Sequence, residues 1–279
     1  MRYVFWGSFD FAQGVLEQLI AAELFPLALV CNPDRPAGRH EIITPPPTKA
    51  FALANGIPVL QPQSMNDDTL RDALARLKPE VFVVTAYAKI IPDDVINLPK
   101  YGTVGVHPSL LPLYRGATPI QSAILAGDEK FGISVYRMDE KMDHGPVLAQ
   151  TEISIPENER TYSHCIELLA KEGGILLAKT LPLYCAEKIS LHPQDEALAT
   201  YTKKISTEDG LVDLQNDSPV DVLRKIQALN PNPGAFAFID GVRTKLLAAC
   251  RENDSVVITR ITKEGKAPSD TRIVLAAKK

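Results

Sequence analysis

The sequence predicts an α/β protein: an open, mostly parallel sheet with helices on both faces, followed by a small β-barrel domain. Short apolar runs without polar alternation, RYVFWG near the start and VFVVTAYA from Val81, have the character of strands buried on both faces. Helix-like segments lie between them, and alternating strand and helix is the order that builds parallel sheets by crossover. In the tail, four alternating apolar segments separated by turn signals follow one amphipathic stretch, which reads as short strands in a small barrel.

RYVFWG is the first strand, and Asp10 can cap a helix running through Val15, Leu16, Leu19 and Ile20. PLALVCN is a second strand, and Lys49 to Asn55 is helical until Gly56 and Pro58 end it. A helix from about Asp67 to Leu77 leads into a central strand, Val81 to Ala88. Gly102 to Val106 and FGISVYR are further strands, and a long helix from Thr161 to Ala186 turns Tyr162, Ile166, Leu169, Leu176 and Leu177 inward. The polar stretch after it lacks apolar periodicity and reads as a linker, which divides the chain into 1–187, 188–204 and 205–279. In the last part SPVDVLRKIQAL is the helix, AFAFID, TKLLAAC, SVVITRI and TRIVLAA are the strands, and Asp240-Gly241 is a hairpin turn signal.

With 279 residues, 45% of them hydrophobic, the chain has ample material for a core. A formal net charge of -4 weighs against a nucleic-acid partner held by bulk charge, though not against a local basic groove. No stretch approaches the roughly 18 consecutive apolar residues of a spanning helix, and no long apolar run opens the chain. A soluble, cytoplasmic protein with no membrane partner is expected. Cys31, Cys165, Cys185 and Cys250 form no CxxC pair and have no histidine at zinc spacing, so they read as reduced, mostly buried residues.

Ligands of open α/β sheets sit beyond the carboxyl ends of the strands. Three strand exits therefore define one region: TAYAKIIP, HPSLLP and the segment from Arg137 to Gly145. His107 stands at the base of the apolar HPSLLP loop, and Asp143 lies at a neighbouring exit. A carboxylate near an imidazole orients it and tunes its protonation, the pairing that general acid–base work requires. Asp143 equally suits a turn cap, His144 a turn position, and Arg115 a solvated helix end. A metal held by His107, Asp143 and His144 lacks a fourth ligand.

The run HPSLLPLYRGATPIQSAILAGD followed by GISVYRMDEKMDHGPVL resembles the folate-dependent formyltransferase family. GSFDFA, NPDRPAGR with TPPPTKAFA, AYAKIIP, KISTEDGLVDL and NPNPGAFAF fall in the order and spacing of the branch acting on initiator methionyl-tRNA. The resemblance implies a Rossmann-like catalytic domain joined to a small OB-like β-barrel, without a metal. It implies transfer of a formyl group from 10-formyltetrahydrofolate to the amino group of methionine on the tRNA, by a monomer. In its terms Asp143 orients His107, which assists proton movement. The folate lies beside Tyr87, Ile90, Ile91 and Pro92, the loop Ser109, Leu110, Leu111 and Pro112, and Asp139 and Met142. Arg35, Arg39, His40, Lys49 and Arg115 face the tRNA.

The family motif has an asparagine where this chain has Gly105. Removing an oxyanion donor of that kind typically costs about 100- to 1,000-fold in rate, so reduced activity is expected. Gly105 reads as a substituted asparagine, as a variant of altered activity, or as a glycine admitting close approach of a ligand or water. On the first two readings Gly105→Asn raises transfer at least about tenfold. The loop GRHEIITPPP carries Glu41 and two isoleucines where the branch commonly has lysine, and Asn232 stands where a tryptophan is usual. Two alternatives stay open: an N-formyltransferase acting on an amino-sugar nucleotide, and a catalytically weak folate- or RNA-binding homologue.

Overall fold

The computed structural model describes residues 1–37, 41–65 and 67–276. Its elements begin β1 (Tyr3–Trp6), α1 (Asp10–Ala21), β2 (Ala28–Val30), β3 (Arg35–Ala37), β4 (Ile42–Thr44), α2 (Pro47–Ala54), β5 (Val59–Leu60) and α3 (Asp68–Leu77). They continue with β6 (Val81–Val84), α4 (Asp93–Ile96), β7 (Thr103–His107), α5 (Pro119–Ala126), β8 (Lys130–Arg137), β9 (Val147–Ser154) and α6 (Tyr162–Cys185). The last are α7 (Pro219–Leu229), β10 (Phe236–Ile239), β11 (Val242–Glu252), β12 (Ser255–Lys263) and β13 (Ser269–Ala276). The chain forms two compact units. Met1–Arg115, Gly132–Glu152 and Glu167–Thr200 make the first; Gly116–Phe131, Ile153–Ile166 and the chain from Tyr201 onward make the second.

One sheet has the order β5-β2-β1-β6-β7-β8-β9. β1 pairs in parallel with β2 and β6, β2 with β5, and β6 with β7, while β8 joins β7 antiparallel. All four residues of β1 and of β6 are buried, as their unbroken apolar sequence requires. β6 is shorter than the expected Val81 to Ala88 because the chain leaves the sheet at once: the Thr85 hydroxyl donates to Val106 O at 3.0 Å and Ala86 takes a left-handed φ of 45°. Asp10 is the first residue of α1 and not its cap; the N-cap position is Phe9, which makes no side-chain bond. α1 and α6 cross closely through small residues, since a Cβ on Gly14 would stand 2.7 Å from that of Ala170 and one on Gly174 would stand 2.5 Å from that of Gln18.

In the second unit β10, β11, β12 and β13 form an antiparallel sheet in that order. Register shifts at Leu246/Ala248 and Ile258/Arg260 bend its two longest strands. Val222 and Ile226 of α7 pack into one core with Ala237, Leu246, Ile258 and Ile261. Asp240 and Gly241 both have positive φ, 50° and 75°, between the paired Ile239 and Val242, the two-residue turn expected there. Among the described residues no helix is long and apolar enough to cross a membrane. The four cysteines are free thiols, and burial pushes those of Cys31 and Cys165 up to about 12.

Candidate active site

His107 ends β7 and is 6% exposed. Its Nε2 lies 2.9 Å from Tyr114 O, and a carbonyl only accepts, so Nε2 carries the proton and donates. In neutral His107 the lone pair is then on Nδ1. That nitrogen faces Asp143 Oδ2 at 3.7 Å, too long for a direct hydrogen bond and close enough for a charged imidazolium to be stabilised.

The loop after His107 is held from the next strand. Alternation along β8 turns Gly132, Ser134 and Tyr136 to one face, with Gly105↔Tyr136 and His107↔Ser134 as register partners. Leu110 packs where a Cβ on Gly132 would be, 2.3 Å from its Cδ2. The Ser134 hydroxyl donates to Ser109 O at 2.7 Å and accepts from Leu111 N at 2.9 Å, and Gln150 Nε2 donates to both Ser134 Oγ and Leu111 O at 2.8 Å. The Ser109 hydroxyl donates to Leu113 O at 2.6 Å and so works as a loop brace.

Asp143 sits in the turn before β9 with φ 51°. Tyr136 Oη donates to its Oδ1 at 2.7 Å, and Gln194 Nε2 donates to the carbonyls of Asp143 and Gly145, each at 2.8 Å. Gln194 is in turn gripped by Arg115, whose Nε and Nη2 donate to its Oε1 at 3.1 and 2.8 Å. Arg115 also forks onto the Glu196 carboxylate and has no exposed surface. Arg115, expected from the sequence to face the tRNA or to be a solvated helix end, is instead a buried clamp on the segment that fixes Asp143.

Of the residues expected to hold the folate, several converge. Ile91 is buried in a core cluster against which Tyr87 packs, Leu111 is buried in another with Tyr136 and Val147, and Met138 packs against both. Pro112, after a cis peptide bond, accepts from Thr200 N at 3.1 Å, and Pro92 precedes α4. Ile90 and Met142 are 91% and 57% exposed, and Asp139 Oδ2 is 2.6 Å from His144 Nδ1. The set is therefore an apolar floor around Met138 with two outlying side chains. Tyr136, Ser134, Gln150 and Gln194 were missed by sequence reasoning; the alternation of Gly132, Ser134 and Tyr136 on one strand face is the signal that could have found the first two.

Of those expected at the tRNA, Arg35 opens an exposed hairpin, β3 with β4, in which Pro36 pairs with Ile43. Ile42 and Ile43 are both exposed there. Lys49 Nζ is bonded to both Asp34 oxygens, and Asp34, hydrogen-bonded by Gln61 and then Lys49, has its carboxyl held below the usual range. Arg39 and His40 lie outside the described residues. Among those described, no cluster of histidine, cysteine or acidic residues could hold a metal ion.

The family profile for formyl transferase matches residues 1–181, and the formyl transferase C-terminal domain profile matches 204–257. The methionyl-tRNA formyltransferase of Chloroflexus aggregans is 43% identical over 249 residues, 89% of this chain and 80% of the relative. That of Moorella thermoacetica is 38% identical over 92% of this chain and 82% of its own. Among solved structures, methionyl-tRNA formyltransferase from Clostridium thermocellum aligns with a TM-score of 0.64 at 15% identity, over 94% of this chain and 98% of its own. A sugar N-formyltransferase from a Shewanella species aligns at 0.68 with 17% identity, over 90% and 98%. The structural likenesses carry the fold and do not distinguish the acceptors.

Proposed function

We infer that this chain, which belongs to the formyl transferase family, is a methionyl-tRNA formyltransferase: it passes a formyl group to the amino group of methionine on initiator tRNA. The observation that carries the acceptor is likeness along some nine-tenths of the chain to relatives bearing that name. The donor fitting the family and the apolar floor around Met138 is 10-formyltetrahydrofolate, as co-substrate. Tyr87, Ile91 and Leu111 would border it, with Ile90 and Met142 reaching in from the rim; Arg35 and the segment to Lys49 would meet the tRNA end.

The attacking amine nitrogen bonds to the formyl carbon while the carbonyl pair moves to oxygen; the bond from that carbon to the donor nitrogen then breaks. The amine must lose one proton and the leaving nitrogen must gain one. His107 Nδ1, which carries the lone pair of the neutral ring, accepts the first and can return it to the leaving nitrogen. Asp143 Oδ2 stabilises the imidazolium in between. Nothing in this sequence needs a covalent enzyme intermediate, and Ser109 is already committed to Leu113 O. Gly105 contributes no side-chain donor to the developing oxyanion, so turnover below that of family members with an asparagine at this position is expected.

Transfer of radiolabelled formyl from 10-formyltetrahydrofolate to methionyl-tRNA, run beside a panel of amino-sugar nucleotides, tests the assignment. Label is expected on the tRNA and to fall about 100-fold or more in His107→Ala. Label on the sugars alone would give the site to the other acceptor. A rate unchanged in His107→Ala would remove His107 from the chemistry.

A further inference from the structure

We propose that Tyr136 is a positioning residue for formyl transfer, which occupies the space an asparagine at 105 would fill and aims Asp143 at His107. The proposal rests on the formyl-transfer reading. A Cβ placed on Gly105 would lie 2.4 Å from Tyr136 Cε1, 2.6 Å from Cζ and 2.9 Å from Oη. The two residues are register partners on adjacent antiparallel strands, and the ring is packed in one buried cluster with Leu111 and Val147, so making room for a side chain at 105 means displacing packed core. Gly105 is bare because its partner's ring is there.

The phenol does not take over the asparagine's task as an oxyanion donor. A hydroxyl has one hydrogen, and this one is given to Asp143 Oδ1 at 2.7 Å. That bond ties one carboxylate oxygen down and leaves Oδ2 as the oxygen facing His107 Nδ1. Burial, and then the Asp143 charge, push the phenol well above its ordinary value, so it stays a donor wherever the enzyme works.

Two variants read the device. Tyr136→Phe keeps the ring and removes the hydroxyl; kcat is expected to fall about 10- to 100-fold, the worth of a hydrogen bond to a charged group. Binding of 5-formyltetrahydrofolate, the KM for the acceptor and the thermal midpoint should stay close to those of the parent. An unchanged kcat would reduce Tyr136 to core packing and overturn the proposal. Gly105→Asn in the Tyr136 background should lower transfer, reversing the gain expected from sequence, and adding Tyr136→Ser to it should restore part of the loss. A gain from Gly105→Asn alone would show that the two side chains do not compete, and would also overturn it. Both rates are taken with whichever acceptor the parent labels, so a wrong acceptor assignment shows in the parent and not in the variants.

Discussion

At the scale of single residues, Asp143 is held through a chain of hydrogen bonds that starts at Arg115. Arg115 is fully buried and makes four hydrogen bonds to Gln194 and Glu196, a fork that a lysine's single ammonium does not reproduce. Arg115→Lys is expected to lower stability by about 1–3 kcal/mol, read as a lower urea midpoint. It should also lower kcat, because Gln194 then holds the Asp143 and Gly145 carbonyls less firmly. A lower midpoint with kcat unchanged would separate the clamp from catalysis. His107 and Asp143 were legible in the sequence because strand exits and a long motif mark them. The burial of Arg115 was not, since its partners arrive from a segment that reads as a polar linker.

At the scale of elements, local chemistry predicted most of what formed. The Asp240-Gly241 turn needs positive φ at both positions, and only glycine meets that without steric cost. Gly241→Ala should destabilise the second unit by about 1–2 kcal/mol and lower its thermal midpoint. Retention of the full midpoint would mean that the hairpin rearranges to another turn. α7 starts where Ser218 predicts: its Oγ accepts from Asp221 N at 3.1 Å and donates to Asp221 Oδ2 at 2.7 Å. Several elements escaped the sequence, among them β5, α4 and the edge strand β9. The hairpin of β3 and β4 lies in a stretch without periodicity, and β6 ends early because Thr85 finds a partner on β7, a contact that no local pattern encodes.

At the scale of the molecule, the acidic balance sets how the acceptor is met. The tail from Ile205 carries 11 Lys and Arg against 10 Asp and Glu, so little bulk charge draws in a nucleic acid. Attraction to tRNA must come from a few local contacts, and each phosphate neutralised adds roughly one power to the salt dependence. Raising salt from about 50 to 200 mM should raise the KM for methionyl-tRNA by about tenfold and leave that for the folate within about twofold. Equal responses would argue against phosphate contacts in the complex. The sequence by itself determined the alternation of strands and helices, the small β domain, the place of His107 and Asp143 at neighbouring strand exits and the family, because periodicity, turn chemistry and motif spacing are local properties of a chain. Only the tertiary structure decided which ring stands beside Gly105 and what Arg115 holds. Which side chain fills a space, and which buried charge finds a partner, depend on residues that meet only when strands align and segments return.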